Sequence, residues 1–308
     1  MNALPLISYP LMVTLIDDDP LFLQAMNGLL NENYKLKEFN NPADALDYFK
    51  KYQPLLPSLK ILRGCIELES YDISGQLPVD LDYIALKKLR EQTERTNEIS
   101  VMIVDYNMPG MNGIEFCRQL KSLPIKKILL TGEADDQLAI NAFNERIIDC
   151  FIRKDSPSLA YDIQFHLNIL TQQYFSNNTN QLLKHLETEN LVPASDPIFV
   201  TFFKEWCNTH HIHEFYFIDQ NANFLLIDKY KQKTYFIIHT DRTLENFIDL
   251  HEDNSDVIEF LTDVKLRKKI PFFGEDKESW DVKPSEWTGY FHVPQMLNGR
   301  EKYYWTVI

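Results

Sequence analysis

Carboxylates stand where apolar runs stop. The run Met12 to Ile16 (MVTLI) ends in Asp17, Asp18 and Asp19, and Ile99 to Val104 (ISVMIV) ends in Asp105. Ile128 to Leu130 leads into Thr131, and Cys150 to Ile152 leads to Lys154. Read as parallel strands, these runs put all of these residues at strand carboxyl ends, where a doubly wound sheet places its site. Carboxylates converging there repel one another and raise one another's pKa unless a cation is present. Mg²⁺ takes oxygen ligands in octahedral geometry and keeps several waters, so two or three carboxylates plus a backbone carbonyl suit it. A magnesium site beside one carboxylate is what phosphoryl transfer onto that carboxylate requires. The metal neutralises nonbridging oxygens while a lysine and a hydroxyl hold the others. Lys154 and Thr131 are of the right chemical types.

The elements that must position these groups follow from the spacing of apolar residues. Pro20 suits the first turn of a helix whose inward face is Leu21, Leu23, Met26, Leu29 and Leu30. A strand at Tyr34 to Phe39 leads to a helix opened by Asn41 and Pro42, with Ala43, Leu46 and Phe49 inward. Ile114 to Leu120, Ala134 to Asn144 and Leu159 to Tyr174 read as helices after the later strands. Strict alternation of five strands and five helices predicts α/β architecture with a doubly wound five-stranded parallel sheet. One stretch breaks the rhythm: about 47 residues (52–98) separate the second helix from the Ile99 strand, where a few would suffice. Its front is irregular, marked by Pro54, Pro57, Gly75 and Pro78. Asp80 to Thr96 then reads as one helix, either a cap on the sheet edge or a partner or dimerisation surface.

Four blocks in order, IDDDP (16–20), VDYNMPGMNGIEF (104–116), LLTGEA (129–134) and FIRK (151–154), resemble the receiver domain of two-component response regulators. The resemblance covers roughly residues 10–175 and implies a flavodoxin-like fold. It implies that Asp105 is the phosphoacceptor, that Asp18 is a direct Mg²⁺ ligand, and that Asp17 acts mainly through a metal-bound water. Asn107 would offer its backbone carbonyl to the metal. Thr131 would follow the phosphoryl group, Lys154 would pair with it, and Phe151 would be the switch aromatic. The donor it implies is a sensor histidine kinase, with homodimerisation on phosphorylation. An inert receiver usually lacks an acidic residue, the threonine or the lysine, and none is lost here. There are two departures. Asp155 stands where many receivers have a proline with a cis peptide bond, and the insert delays the phosphoacceptor to about twice its usual distance from the start. With VDYNMPGMNGIEFCRQL, KKILLTGEADDQLAINAFN and FIRKDS, the insert makes the chain similar to atypical regulators of α-hydroxyketone quorum sensing, the Legionella Lqs type.

After residue 175 the pattern changes. Residues 176–195, with NNTNQ inside, read as a linker or a fraying helix end. From Asp196 onward a helix (Pro197 to Thr209) precedes short strands at Glu214 to Asp219, Phe224 to Asp228 and Thr234 to Thr240. Helices at Leu244 to His251 and Val257 to Lys268, then strands at Gly289 to Val293 and Tyr303 to Val307, complete an α+β domain with an antiparallel sheet. The linear division is thus a receiver (1–175) with an insertion (about 52–98), a linker (176–195) and an output domain (196–308).

Composition bounds the output. The 308 residues carry 45 acidic against 31 basic side chains, a formal charge of −14, and residues 171–308 alone carry 21 against 14. Nucleic acid would need a local basic patch. The one dense run, KLRKK (265–269), reads as a solvated helix end. Cys207, His210, His211 and His213 are metal-binding types, but their spacing is no recognised zinc pattern and the default is a helix end with surface histidines. Four cysteines without a CxxC pair predict neither a disulfide framework nor a zinc ribbon. Dense aromatics, among them Phe203, Trp206, Phe217, Trp287 and Trp305, predict a core of large side chains or an aromatic-lined pocket. No nucleophile with its base, and no glycine loop for phosphate, is visible there. No apolar run approaches membrane-spanning length and no signal peptide opens the chain. The expectation is a cytoplasmic response regulator, not a turnover enzyme, acting through protein or small-ligand interaction. DNA binding and an enzymatic output stand as alternatives.

Overall fold

The computed structural model describes residues 4–55, 62–63, 80–132, 136–183, 192–219 and 221–308. Its contacts form two units: Tyr9–Pro57 with Glu91–Asn178, and Met1–Ser8 with Ser58–Arg90 and Thr179–Ile308.

The first unit is a five-stranded, all-parallel sheet of β1 (Met12–Ile16), β2 (Lys35–Phe39), β3 (Ile99–Asp105), β4 (Lys126–Thr131) and β5 (Cys150–Arg153). The strand order is β2-β1-β3-β4-β5, the flavodoxin-like arrangement. β1 and β3 are buried along their whole length, as a sheet covered on both faces demands. Successive β3 side chains divide between two cores. Met102 and Val104 join Leu46, Phe49, Phe116 and Ala142 on one face. Val101 and Ile103 join Leu23, Met26, Ile163 and Leu167 on the other. Those residues belong to α1 (Pro20–Leu30), α2 (Pro42–Lys51), α3 (Gly113–Gln119), α4 (Asp136–Asn144) and α5 (Leu159–Leu183). Side-chain caps start the first three: Asp19 accepts from Leu21 N, Asn41 from Ala43 N and Asn112 from Glu115 N. Such caps contribute about 1 kcal/mol each. At the opposite end of β3, the buried Glu98 carboxylate accepts from Tyr9 (3.0 Å) and Tyr174 (2.5 Å), pinning α5 to the strand's start.

Several sequence expectations need correction. Leu21 is exposed; the buried stripe of α1 is Leu23, Met26 and Leu30. The expected helix at Asp80 to Thr96 is broken. Asp80–Leu81 pairs with Leu62–Arg63, and Asp82 then caps a helix limited to Tyr83–Glu91 by accepting from Ala85 N. Extended Gln92 stops that helix, and Thr93–Asn97 forms a 3-10 turn. Most of the irregular front of the insert lies outside the described residues. α5 runs to Leu183, well into the expected linker, because nothing from 159 to 183 breaks a helix. The expected 1–175 division also differs from the contact units, since residues up to Ser8 and the insert through Arg90 group with the second unit.

The second unit holds a six-stranded antiparallel sheet. Its order is Ile7–Ser8, β6 (Ile212–Phe217), β7 (Phe224–Asp228), β8 (Lys233–Thr240), Lys302–Val307 and Gln295–Asn298. Of the expected Gly289 to Val293 strand only Phe291–His292 forms, pairing with Ile270–Pro271. The helix α6 (Pro197–Thr209) packs Phe199 and Phe203 against Phe224, Phe236 and Tyr303. A second aromatic group joins Phe247 on α7 (Asp241–His251) to Phe273, Trp287 and Phe291. The aromatic density is therefore largely core, and each fully buried side chain of this size stabilises the fold by roughly 1.5–3 kcal/mol.

His239, 5% exposed, is a buried residue of β8. Its Nε2 lies 2.9 Å from the Pro271 carbonyl, which can only accept, so the proton sits on Nε2. Burial pushes its pKa from 6.5 down to about 4, against the raising effect of that hydrogen bond. Between these values the unfolded chain takes up a proton that the folded chain refuses, so stability falls as pH drops through this window. In urea unfolding between roughly pH 7 and pH 5, the wild type should lose about 2 kcal/mol more than His239→Gln. Equal losses would contradict this assignment.

Candidate functional site

β1, β3, β4 and β5 deliver the chemistry-bearing residues to one end of the first sheet. Asp17 N–H still bonds the Phe39 carbonyl of β2 at 3.1 Å, so Asp17 is held in line with the strand. Its Oδ1 accepts from Asp19 N at 3.0 Å, while Asp19 itself caps α1. The third aspartate of the DDD run is thus a structural cap. After Asp105, Tyr106 N–H bonds the Leu130 carbonyl and Gly113 N–H bonds the Tyr106 carbonyl, both at 2.9 Å, closing the loop that carries exposed Asn107. A Cβ at Gly113 would collide with the Asp105 carbonyl oxygen and lie 2.8 Å from Leu129 Cδ1. Only glycine lets α3 start this close to the end of β3. Lys154 N–H bonds the Thr131 carbonyl at 2.9 Å, setting the lysine beside the end of β4.

Asp17, Asp18 and Asp105 each offer a carboxylate oxygen within 4.8 Å of the others, the one such group of metal-capable side chains among the described residues. Asp17 and Asp105 are buried and Asp18 is exposed. The Lys154 ammonium stands 2.7 Å from Asp17 Oδ2 and 2.7 Å from Asp105 Oδ1. Burial raises the Asp17 pKa; the Lys154 hydrogen bond opposes the rise and the Asp105 charge adds to it. Burial works to lower the Lys154 pKa but is outweighed by its hydrogen bonds to Asp105 and Asp17, so the net shift is upward. The Thr131 hydroxyl is fully buried and has no hydrogen-bond partner among the described residues. Phe151 on β5 is half-buried against the core face that holds Phe116 and Leu129.

One neighbour escaped the sequence reading. The Phe22 ring centroid lies 4.5 Å from the Lys154 ammonium, a cation–π contact. Nothing in the spacing marks Phe22, because it lies beside the buried stripe of α1 and its partner is 132 positions away by chain number. Asp155 does not add a free charge near the lysine: Arg153 binds both its oxygens, at 3.0 and 2.8 Å, and holds its carboxyl below the usual range.

The other candidate clusters assemble nothing comparable. His210 stacks on Trp206 at 3.8 Å with Nδ1 bonded to the Trp206 carbonyl, and His211 and His213 are exposed. Within KLRKK, Arg267 pairs with Asp241 and Glu245, and Lys269 with Asp263. Cys117, Cys150 and Cys207 are free thiols pushed up to about 12 by burial, hence protonated and unreactive. Among the described residues no helix is long and apolar enough to cross a membrane.

With this geometry established, known proteins give it context. The response regulator receiver domain family matches residues 58–159, from within the insert to the start of α5. The solved structure of the Legionella pneumophila response regulator LqsR is 28% identical with a TM-score of 0.78, covering 99% of this chain and 88% of that one. The cyclic di-GMP phosphodiesterase response regulator RpfG of Xanthomonas campestris pv. campestris is 35% identical over 63 residues, 19% of this chain and 17% of RpfG. The transcriptional regulatory protein FlgR of Helicobacter pylori is 28% identical over 95 residues, 30% of this chain and 25% of FlgR. Each match thus spans a quarter or less of those two curated relatives. The parallel sheet, the acidic group at its strand ends and the family match agree: the chain carries a receiver domain of the two-component response regulators and is LqsR-like in structure.

Proposed function

We propose that the chain is a phosphorylation-dependent response regulator in which Asp105 takes a phosphoryl group from a sensor histidine kinase in the cytoplasm. The carrying observation is the Lys154 ammonium set 2.7 Å from both Asp17 and Asp105, beside the unpartnered Thr131 hydroxyl. The P–N bond of the donor phosphohistidine breaks, a P–O bond forms at an Asp105 oxygen, and the histidine leaves as the neutral ring after taking a proton. Asp105 is the phosphoacceptor and the kinase the donor, so this chain is a substrate of transfer and not a turnover enzyme.

The three converging carboxylates are hard oxygen donors carrying more negative charge than one lysine balances, and this set fits Mg²⁺. Asp17, Asp18 and Asp105 would hold the ion with the Asn107 backbone carbonyl, Asp17 mainly through water. When bound, Mg²⁺ neutralises nonbridging phosphoryl oxygens. Lys154 holds the Asp105 carboxylate in place and then pairs with the phosphoryl oxygens. Thr131 donates its unsatisfied hydroxyl to the new group and Phe151 turns inward behind it. The altered face, through which we propose homodimerisation, carries exposed Leu138 and Phe143 on α4 and Tyr161 and Phe165 on α5, with the insert helix as the other dimerisation element.

The similarity to LqsR along the chain supports a role in cell-density signalling of the Lqs type, with an output that works by protein or small-ligand interaction. The pairing of Arg267 and Lys269 with acidic neighbours weighs against a DNA-binding output.

Two measurements test this reading. Lys154→Met leaves Asp17 and Asp105 facing each other without a cation. It should cost about 2–3 kcal/mol in urea unfolding, and added Mg²⁺ should restore part of that. An unchanged unfolding free energy would show that the lysine does not balance the cluster. Intact mass spectrometry after acetyl phosphate with Mg²⁺ should show one added phosphoryl group on the wild type, and none on Asp105→Asn or in EDTA. Equal modification of the variant would move the phosphoacceptor elsewhere.

A further inference from the structure

The second unit contains a cavity of about 570 Å³ that no part of the phosphorylation chemistry uses. It lies among the turn that follows β6, the outer face of α7 and the loop that runs from Pro271 to Trp280. The volume is that of a small-molecule site. We propose that it binds a small organic cation, an amine carried on an apolar or aromatic body.

Two features of the lining support this class. The first is aromatic: Phe247, Phe272 and Phe273 form the walls, and Trp280, 67% exposed, stands at the rim. Aromatic faces attract a cation and its apolar body together. The second is charge. Asp219, Glu275 and Glu278 line the cavity against a single lysine, Lys277, whose side chain is exposed. Glu275 is already matched, since Arg90 of the insert helix binds both its oxygens at 2.5 and 3.1 Å. Among the described residues no cation pairs with Asp219. Its oxygens accept from Asn221 N–H (2.9 Å), Asn223 N–H (3.2 Å) and the Asn223 amide (2.7 Å). Those neutral donors aim the carboxylate without balancing its charge. Burial raises the Asp219 pKa, those hydrogen bonds oppose the rise, and the Glu278 charge adds to it. An ammonium placed between them relieves both strains, whereas an anion such as a phosphate or carboxylate would add to them. The insert helix contributes Tyr83 to the lining as well as Arg90's hold on Glu275, so the inserted segment helps build the cavity.

This inference rests on reading the second unit as a small-ligand module and not on phosphorylation of Asp105, so it is tested without any phosphodonor. Full-length protein would be titrated calorimetrically with phenethylammonium and with phenylacetate, which share a body and differ in charge. Phenethylammonium should bind saturably and at least about tenfold more tightly than phenylacetate, a difference of ~1.4 kcal/mol. Trp280→Ala and Glu278→Gln alter exposed side chains and should leave the circular dichroism spectrum unchanged while each weakens phenethylammonium binding severalfold. Three results would overturn the proposal: phenylacetate binding as tightly, no saturable binding of either probe, or full phenethylammonium affinity in both variants.

Discussion

A single ammonium group balances a site that would otherwise push itself apart. Lys154 sits 2.7 Å from both Asp17 and Asp105, and these two buried carboxylates share its charge with Asp18 close by. Much of the first unit is arranged so that this contact can form. The β1–β2 pairing holds Asp17 in line, Gly113 clears space behind Asp105, and the Thr131 carbonyl fixes the backbone of Lys154. The Phe22 ring steadies the ammonium and Arg153 takes Asp155 out of competition for it. A buried ion pair contributes little net stability, because desolvation offsets most of the attraction. Its value here is position: it sets one cation on two buried carboxylates at the strand ends.

How much of this was legible beforehand follows from what kind of interaction each element depends on. β1 and β3 were readable because a strand covered on both faces is a continuous apolar run, and their ends were marked by abrupt carboxylates. The same logic located Asp17, Asp18, Asp105, Thr131 and Lys154 at strand ends, and the structure brings Lys154 onto two of the acids. The caps at Asp19, Asn41 and Asn112 are local, so the helices they start could be placed closely. Features that depend on distant partners were not visible. Ile7–Ser8 is only two residues long and becomes a strand by pairing with Tyr216 and Phe215. Phe22 matters through a residue on the last strand's loop. Leu21 was misplaced because the apolar residues at the start of α1 fit more than one helical face. α5 outran its apolar stripe because its polar last turns contain neither glycine nor proline to stop them.

The insert changes how the chain is divided. A linear reading makes it an appendage of the receiver, whereas its helix Tyr83–Glu91 anchors by Arg90 and Lys87 to Glu275 and Asp276 in the second unit. The chain therefore passes from the first unit to the second and back before reaching β3, whose last residue is Asp105.

The most direct test of the central claim is ¹⁹F NMR of the full chain with beryllofluoride, which mimics a phosphoryl group bound to a carboxylate. The account predicts protein-bound fluoride resonances that need Mg²⁺ and disappear in Asp105→Asn. Absence of any bound resonance from the wild type at saturating Mg²⁺ and beryllofluoride would contradict it, because the carboxylates, Lys154 and Thr131 would then share one place without holding a phosphoryl group there.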